Sequence, residues 1–208
     1  MYLAETIRKD FKLVPAKSGV YKWWCDLETL RCILKKIDSN GNINIPADIE
    51  KYTYKNILNK IDPCENINIP ADIETLYCFY VGIAKNLRAR IKWHIKSHTA
   101  KQVATGRIST LRNSLASIFF GTTNISINAA LNNLIDTLYI SFEENPNPHE
   151  IEKVILSGTA SAYNSNNYVY ILNIQENNHG KAKDLKKELK KLRNDAKQKA
   201  LNNTNSSV

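Results

Sequence analysis

Tyrosine, arginine and histidine side chains recur in this sequence at spacings that suit chemistry on a phosphate ester. Tyr21 ends the tripeptide Gly19-Val20-Tyr21, and Tyr80 begins the tripeptide Tyr80-Val81-Gly82. Arg90 follows Gly82 by eight residues, and His94 lies one helical turn further on. A guanidinium pairs with phosphate oxygens in bidentate geometry, which makes Arg90 the natural charge clamp. These residues suit phosphodiester hydrolysis, which needs a positioned water and neutralised phosphoryl charge.

A carboxylate later in the chain offers a hard oxygen ligand for a divalent metal ion. Glu152 lies near the start of an apolar-patterned helix that we expect over about 150–157, and Asn164 follows twelve residues later. Mg²⁺ usually keeps several waters and takes one or two protein carboxylates, so Glu152 is the candidate ligand for Mg²⁺, or for Mn²⁺. Glu150 is a close competitor, because acidic residues are common at helix N-termini.

The ordered set of residues resembles the GIY-YIG nuclease family. The resemblance rests on the two tripeptides, on Arg90 at the expected offset, and on Glu152 followed by Tyr163-Asn164, and it covers roughly residues 15–175. The run 80–90 is particularly close to the version in the excision-repair incision subunit. The resemblance implies an α+β (mixed α/β) fold with a small, mostly antiparallel central sheet flanked by helices. This chain departs from the family's short hairpin, since 58 residues lie between Tyr21 and Tyr80.

The resemblance also implies roles for the side chains. A free tyrosine, with its pKa near 10, is a poor base, but a metal and cationic neighbours are expected to acidify its phenol. Tyr21 would then take a proton from water, with Tyr80 and His94 as its partners in the proton network. Lys85 is a weaker candidate for lowering a tyrosine pKa or binding phosphate. Asn164 is expected to support the site by holding backbone or Glu152.

Each residue also has a plain structural explanation. Tyr21 and Tyr80 suit strand packing, and Arg90 suits an exposed helix surface. His94 and His98, four residues apart, would make half of a zinc site, but no third His or Cys follows at finger-like spacing. The nuclease interpretation is favoured because the structural explanations require several coincidences in the right order.

The charge distribution favours a polyanionic partner. The net charge is +9, and residues 181–200 contribute nine basic and three acidic side chains to it. Between Glu74 and Asp136 there is no acidic residue, while eight Lys and Arg residues fall there. Such a stretch suits contacts to DNA phosphates. The candidate DNA-binding residues are Arg88, Lys92, Lys96, Arg107 and Arg112.

Hydrophobic periodicity predicts the elements that must position these residues. Strands are expected at 19–24, 76–81, 137–142 and 168–174. Helices are expected at 86–96, 110–120, 129–135, 150–157 and 181–200. On the helix 86–96, Arg90 and His94 flank the apolar stripe and point toward a cleft. Arg88, Lys92 and Lys96 occupy the other shoulder, open to solvent.

The start of the helix 110–120 has two interpretations. Ser109 or Thr110 is available as its N-cap. The hydroxyls and free N–H groups there would also suit a DNA phosphate.

The chain divides into a nuclease-like domain with additions. An N-terminal arm or helix is expected at 1–14, the domain at 15–175, and a basic helix with a disordered tail at 176–208. Residues 36–74 form an insertion, in which 36–50 and 60–74 are identical at 12 of 15 positions. We expect a spacer there. The basic helix either packs on the domain by its Leu185, Leu189, Leu192 and Ala196 stripe or lies along a nucleic acid backbone.

Composition narrows the class of protein. No run of 18 apolar residues is present, so no transmembrane helix is expected, and the first 20 residues lack the apolar core of a secretory signal. Four cysteines at unpaired spacing are expected to be reduced thiols of a cytoplasmic protein.

These observations predict a Mg²⁺-dependent DNA endonuclease, with a restriction-type enzyme as one version. A palindromic site would favour a homodimer. The alternatives are an inactive nucleic-acid-binding module and a repair or mobile-element nuclease.

Overall fold

An antiparallel sheet of five strands organises the part of the chain that the structure describes. A computed structural model describes residues 1–37, 51–53, 75–105, 107–151, 172 and 181–205. The strands are β1 (Tyr2–Leu3), β2 (Gly19–Cys25), β3 (Lys51–Thr53), β4 (Thr75–Ala84) and β5 (Tyr139–Glu144). Their order across the sheet is β1-β5-β2-β4-β3, and every neighbouring pair is antiparallel. The predicted α+β fold with a mostly antiparallel sheet is therefore confirmed.

Seven α-helices accompany the sheet within the described residues. They are α1 (Ala4–Lys9), α2 (Leu27–Ile37), α3 (Leu87–Ile95), α4 (Ala100–Ala104), α5 (Thr110–Phe120), α6 (Asn128–Asp136) and α7 (Lys181–Asn205). Residues 148–151 begin a further helix. The expected helices at 86–96, 110–120 and 129–135 agree with α3, α5 and α6 to within one residue at each end.

The central strand β2 is buried on both faces because its aromatic and β-branched residues alternate between two clusters. Tyr21 and Trp23 join the large core that lies between the sheet and the helices. Val20 and Trp24 join a smaller cluster on the opposite face. The 58 intervening residues do not separate the two tyrosine motifs, since Tyr21 pairs with Gly82 across β2 and β4.

Helix α3 is held against the sheet by its apolar stripe. Leu87, Ile91 and Ile95 are fully buried at the spacing of one helical face. The Asn86 side chain caps the helix by accepting a hydrogen bond from the Ala89 N–H at 2.9 Å. This position brings Arg90 and His94 toward the strands that carry the tyrosines.

The N-terminal segment differs from the single helix or arm expected at 1–14. Its first residues form β1, which pairs with β5, and α1 and a 3₁₀ turn (Phe11–Leu13) follow. Ile7 and Val14 are buried in the main core. The segment thus adds a short edge strand to the sheet and packs its helix into the main core.

The insertion contributes to the sheet rather than serving only as a spacer. β3 pairs with β4 from Lys51 opposite Tyr77 to Thr53 opposite Thr75. Helix α2 precedes it and buries Leu30, Ile33, Leu34 and Ile37. The expected strand at 168–174 and most of the helix at 150–157 lie outside the described residues.

Helix α7 packs on α5 and α2. Leu189, Ala196 and Ala200 are buried, whereas Lys187, Lys190 and Lys191 are exposed. The packed interpretation of the basic helix is therefore correct, and its outer face still carries lysines.

No helix in the described ranges combines the length and the apolar character needed to cross a membrane. Cys25, Cys32 and Cys78 are free thiols.

Candidate active site

The phenol of Tyr21 is the centre of a buried polar cluster. Tyr21 is 1% exposed, and its Oη lies 2.7 Å from Nε2 of His94. The Arg90 Nε–H donates to the same oxygen at 3.4 Å. The Tyr80 ring lies with its centroid 6.2 Å from that of Tyr21 and 5.8 Å from that of His94. The structure therefore brings together the four predicted residues that it describes for this centre.

Two glycines make room for this cluster. A Cβ atom on Gly82 would overlap the Tyr21 hydroxyl and lie 2.5 Å from its Cζ. A Cβ atom on Gly19 would collide with the Glu143 carbonyl and lie 2.8 Å from a Leu87 methyl. The glycine of each tripeptide is thus required by the close approach of the strands and α3.

A chain of hydrogen bonds continues from His94 into α5. Nδ1 of His94 lies 2.6 Å from Oγ of Ser109, and the Arg112 backbone N–H donates to that Oγ at 3.1 Å. The Ser109 backbone N–H donates to Nε2 of His98 at 3.0 Å. Ser109 is 2% exposed. It is therefore an N-cap with a second partner in the site, and it is not accessible to a DNA phosphate.

Burial sets the protonation of this cluster. It raises the pKa of Tyr21 well above its ordinary value, as does Tyr80, while Arg90 acts in the opposite direction. Burial lowers the pKa of His94 well below its ordinary value, helped by the nearby charges of Arg90, His98 and Arg112. The expected acidification of Tyr21 by cations is present but smaller than the effect of burial. The phenol and the imidazole are both neutral at neutral pH.

A cleft of about 600 Å³ opens beside the cluster. Its lining includes Lys85, Arg90, Trp93 and His149. Arg90 therefore faces both the Tyr21 hydroxyl and the cleft. Trp93 and His149 were not singled out from the sequence. His149 is the second residue of the helix that begins at 148, and no spacing rule pointed to it.

Two of the candidate DNA-binding lysines lie on the outer surface of α3, as predicted. Lys92 and Lys96 are exposed, with their Nζ atoms 5.4 Å and 5.9 Å from the Phe11 ring centroid. Arg107 is also exposed. Arg88 is only half-buried, since its Nε donates to the Val14 carbonyl at 2.7 Å. The prediction that Arg88 is open to solvent is therefore only partly correct.

Arg112 does not lie on a DNA-facing surface. It is 2% exposed, and its guanidinium donates to the Ile95 carbonyl at 3.1 Å and to the Asn132 side chain at 3.0 Å. Burial lowers its pKa to about 10, so it remains charged at neutral pH. The expectation that Arg112 contacts DNA is wrong, because its helix position faces the core and its charge is bound by the C-terminus of α3.

Arg193 of α7 lies beside the site and was not singled out from the sequence. Its Nε donates to the Ser114 hydroxyl at 3.0 Å, and an Nη donates to the Leu172 carbonyl at 3.4 Å. The Leu172 N–H donates in turn to the Phe79 carbonyl at 2.9 Å, next to Tyr80. Burial lowers the pKa of Arg193, and the nearby Tyr80 opposes that effect.

The candidate metal ligand lies outside the described residues, as does Asn164. Glu152 fits Mg²⁺ by type, since one carboxylate with waters and phosphate oxygens is a usual donor set for that ion. Within the described ranges, no three His, Cys, Asp or Glu side chains are grouped to hold a metal. His94 and His98 do not form half of a zinc site, because their ring nitrogens are engaged with Tyr21 and Ser109.

Comparison with known proteins adds one match. The family description "GIY-YIG catalytic domain" matches residues 19–195 of this chain. That range includes the cluster, the cleft and Arg193. No curated protein and no solved structure matches the chain.

Proposed function

The chain belongs to the GIY-YIG nuclease family, and from that premise we propose that it is a Mg²⁺-dependent endonuclease that hydrolyses phosphodiester bonds in DNA. A nuclease-type function follows from the family alone. The observation that carries the finer proposal is the Tyr21 hydroxyl, which lies within reach of His94 and Arg90 beside a cleft with Lys85 in its wall.

The cationic side chains of the cleft bind the scissile phosphate. Arg90 supplies a bidentate donor set and Lys85 a point charge, and both stabilise the negative charge that develops in the transition state. Arg90 holds this position while its Nε–H also contacts Tyr21. The phosphate is thereby placed next to the phenol.

Tyr21 takes a proton from the attacking water. Its phenol must first lose its own proton to water in the cleft, which burial opposes in the free protein. The positive charges of Arg90 and Lys85 in the cleft lower that cost. Tyr80 and His94 complete the proton network around the phenol oxygen.

We assign Glu152 as the carboxylate that holds Mg²⁺ or Mn²⁺, supported by Asn164. The metal ion, when bound, neutralises charge on the phosphoryl oxygens and the leaving oxygen. Members of the family generally use divalent metal ions.

DNA is held by exposed basic side chains around the domain. We assign the contacts to the DNA phosphates to the exposed side chains of Lys92, Lys96 and Arg107 and to the half-buried Arg88. The exposed lysines of α7 are further candidates for such contacts. A restriction-type enzyme is the version that we propose, and a palindromic target would be cut by a homodimer. Sequencing the ends of cleaved DNA tests this version, because random ends would contradict it.

Cleavage of supercoiled plasmid DNA with Mg²⁺ tests the central proposal. Wild type should nick or cut, whereas Arg90→Ala, Tyr21→Phe and Glu152→Ala should each lose at least about 100-fold in rate. Arg31→Ala, an exposed arginine on α2, and Glu150→Ala are the matched controls.

Three outcomes would change the assignment. Wild type that binds DNA at several salt concentrations without cutting it would indicate an inactive nucleic-acid-binding module. Full activity of Glu152→Ala with loss in Glu150→Ala would move the metal ligand to Glu150. Full activity of Tyr21→Phe would remove the proposed base.

A further inference from the structure

Ser109 has a single hydrogen to donate, and its hydrogen bonds determine where that hydrogen goes. Two groups contact Oγ among the described residues: the Arg112 backbone N–H at 3.1 Å and Nδ1 of His94 at 2.6 Å. The backbone N–H is a donor and occupies a lone pair. Nδ1 is therefore the acceptor that the described structure offers to the buried hydroxyl hydrogen.

We propose that Ser109 donates to Nδ1 of His94 and thereby fixes the tautomer in which Nε2–H donates to Tyr21 Oη. Ser109 is then a positioning residue of the site, acting through His94. The proposal rests on the proposed nuclease function, and it adds the direction of the hydrogen bonds around the base.

The neutral state of His94 makes this arrangement consistent. Burial lowers the pKa of the imidazole, and the nearby Arg90, His98 and Arg112 lower it further. The phenols of Tyr21 and Tyr80 also face the ring. A neutral imidazole carries one N–H and one lone pair, so a donor at Nδ1 places the N–H on Nε2.

The other hydrogen bonds of Tyr21 are consistent with donation from His94 Nε2–H to its Oη. Its Oη then accepts two hydrogen bonds, from His94 Nε2–H and from Arg90 Nε–H. Its own hydrogen is left for Tyr80, the other side-chain hydrogen-bond partner of the phenol. Two N–H donors stabilise a phenolate, so this tautomer prepares Tyr21 to act as a base once its proton has passed to water in the cleft, and His94 does not receive that proton.

The backbone around Ser109 holds the hydroxyl in place. The Ser109 N–H donates to Nε2 of His98, whose ring contacts the Trp93 ring at an interplanar angle of 57° with centroids 4.5 Å apart. Its carbonyl accepts from the Asn113 N–H at 2.8 Å as the first turn of α5. The hydroxyl is thus fixed from both sides.

The tautomer of His94 can be measured without any cleavage. Long-range ¹H–¹⁵N correlation spectra of ¹⁵N-histidine-labelled wild type, assigned with His94→Gln, should show Nε2 protonated and Nδ1 unprotonated. The opposite tautomer in wild type would overturn the proposal. A protein that shows the expected tautomer but never cuts DNA would count against the nuclease function alone.

Variants at position 109 test the consequence for the reaction. Ser109→Asp keeps an N-cap acceptor for α5 but has no hydrogen to donate, so it should reverse the tautomer. Ser109→Ala should lower single-turnover plasmid cleavage about 10- to 100-fold, by analogy with the loss of a hydrogen bond that orients a metal-ligating histidine, with unchanged DNA affinity. Ser109→Thr, which restores the hydroxyl, should recover most of that rate.

Ser117→Ala is the matched control, because Ser117 is a 2% exposed serine of the same helix whose hydroxyl donates to the Asn113 carbonyl. It should cut as wild type does. Cleavage by Ser109→Ala at the wild-type rate would overturn the positioning role. If Ser109→Ala does not unfold cooperatively, its cleavage rate is not used, and the His94 tautomer measured in the wild-type protein alone supports or overturns the proposal.

Discussion

Gly82 lies where the Tyr21 phenol needs space. Replacing it with alanine places a methyl group on the phenol oxygen, so Tyr21 must move away from His94 and Arg90. We expect Gly82→Ala to lose about 100-fold or more in plasmid cleavage, as displacements near 1 Å do in active sites.

Gly121→Ala is the control for that prediction. Gly121 caps α5 at φ 62, and an added Cβ would meet nothing closer than Lys199 Nζ at 3.9 Å. This variant should lose about 1 kcal/mol of stability from the left-handed backbone but keep its cleavage rate. If the cleavage rate of each variant falls in proportion to its loss of stability, Gly82 has no specific role in the site.

His98 should make folding sensitive to acid. Burial and the nearby Arg112 lower its pKa from 6.5 to about 4, so the unfolded chain binds a proton more readily in that interval. The free energy of unfolding should therefore fall as pH decreases from about 6.5 toward 4. Urea unfolding of His98→Gln should show a smaller pH dependence than wild type. His149 is exposed, so His149→Gln is the control. If the free energy of unfolding of His98→Gln depends on pH as strongly as that of wild type, the prediction is wrong.

At the residue level, the sequence predicted which side chains meet in the buried cluster, and it missed features that depend on the environment of a side chain. Tyr21, Tyr80, Arg90 and His94 meet because their order and spacing match a known pattern. The burial of Arg112 depends on which face of α5 meets α3, and a charge count does not contain that information.

Among the elements, the C-terminus of α3 is the point where three other helices contact it. The Ile95 carbonyl accepts from Arg8 of α1 at 2.7 Å and from Arg112 of α5 at 3.1 Å, and Arg112 also reaches Asn132 of α6. These contacts hold the helix that carries His94.

Arg112→Met should therefore act on stability. It leaves buried acceptors without donors, and we expect it to lower the free energy of unfolding by about 2–4 kcal/mol in urea titrations. Arg107→Met, an exposed arginine, should change stability by less than about 0.5 kcal/mol. A small effect of Arg112→Met with a large loss of DNA affinity would restore the DNA-binding interpretation of this residue.

Among the elements, most of those with a clear period were predicted, whereas the short strand β3 was not. Helices α3, α5 and α6 follow their apolar stripes. Helix α2 has such a stripe too, at Leu30, Ile33, Leu34 and Ile37, and this signal in the sequence was overlooked. β3 has only three residues, and its presence depends on the partner strand β4.

At the scale of the whole molecule, the excess of positive charge should appear as a salt dependence of DNA binding. Lys92 and Lys96 lie exposed over the Phe11 ring, and each should neutralise a phosphate. Lys92→Ala with Lys96→Ala should reduce the slope of log affinity against log salt by about 0.9 for each phosphate that is no longer neutralised.

Lys9→Ala is the control for the salt experiment, because Lys9 pairs with Glu5 at 2.6 Å on α1. It should leave the slope close to that of wild type. An unchanged slope in the double variant would place the DNA elsewhere, with the outer face of α7 as the next surface to substitute.

The repeat at 36–50 and 60–74 lies on either side of β3, so recombination between its two copies can remove that strand in one step. Excision of residues 37–60 would join Lys36 to Ile61, restoring the same Lys-Ile junction and leaving one copy of the repeat ahead of β4. The catalytic register of β2 and β4 would persist, but residues 75–77 of β4 would lose the strand that now pairs with them. A bare edge of that kind invites pairing between chains. In evolutionary terms, the segment between the two copies, which holds β3, therefore protects the sheet from self-association, and its loss would show as aggregation of the protein.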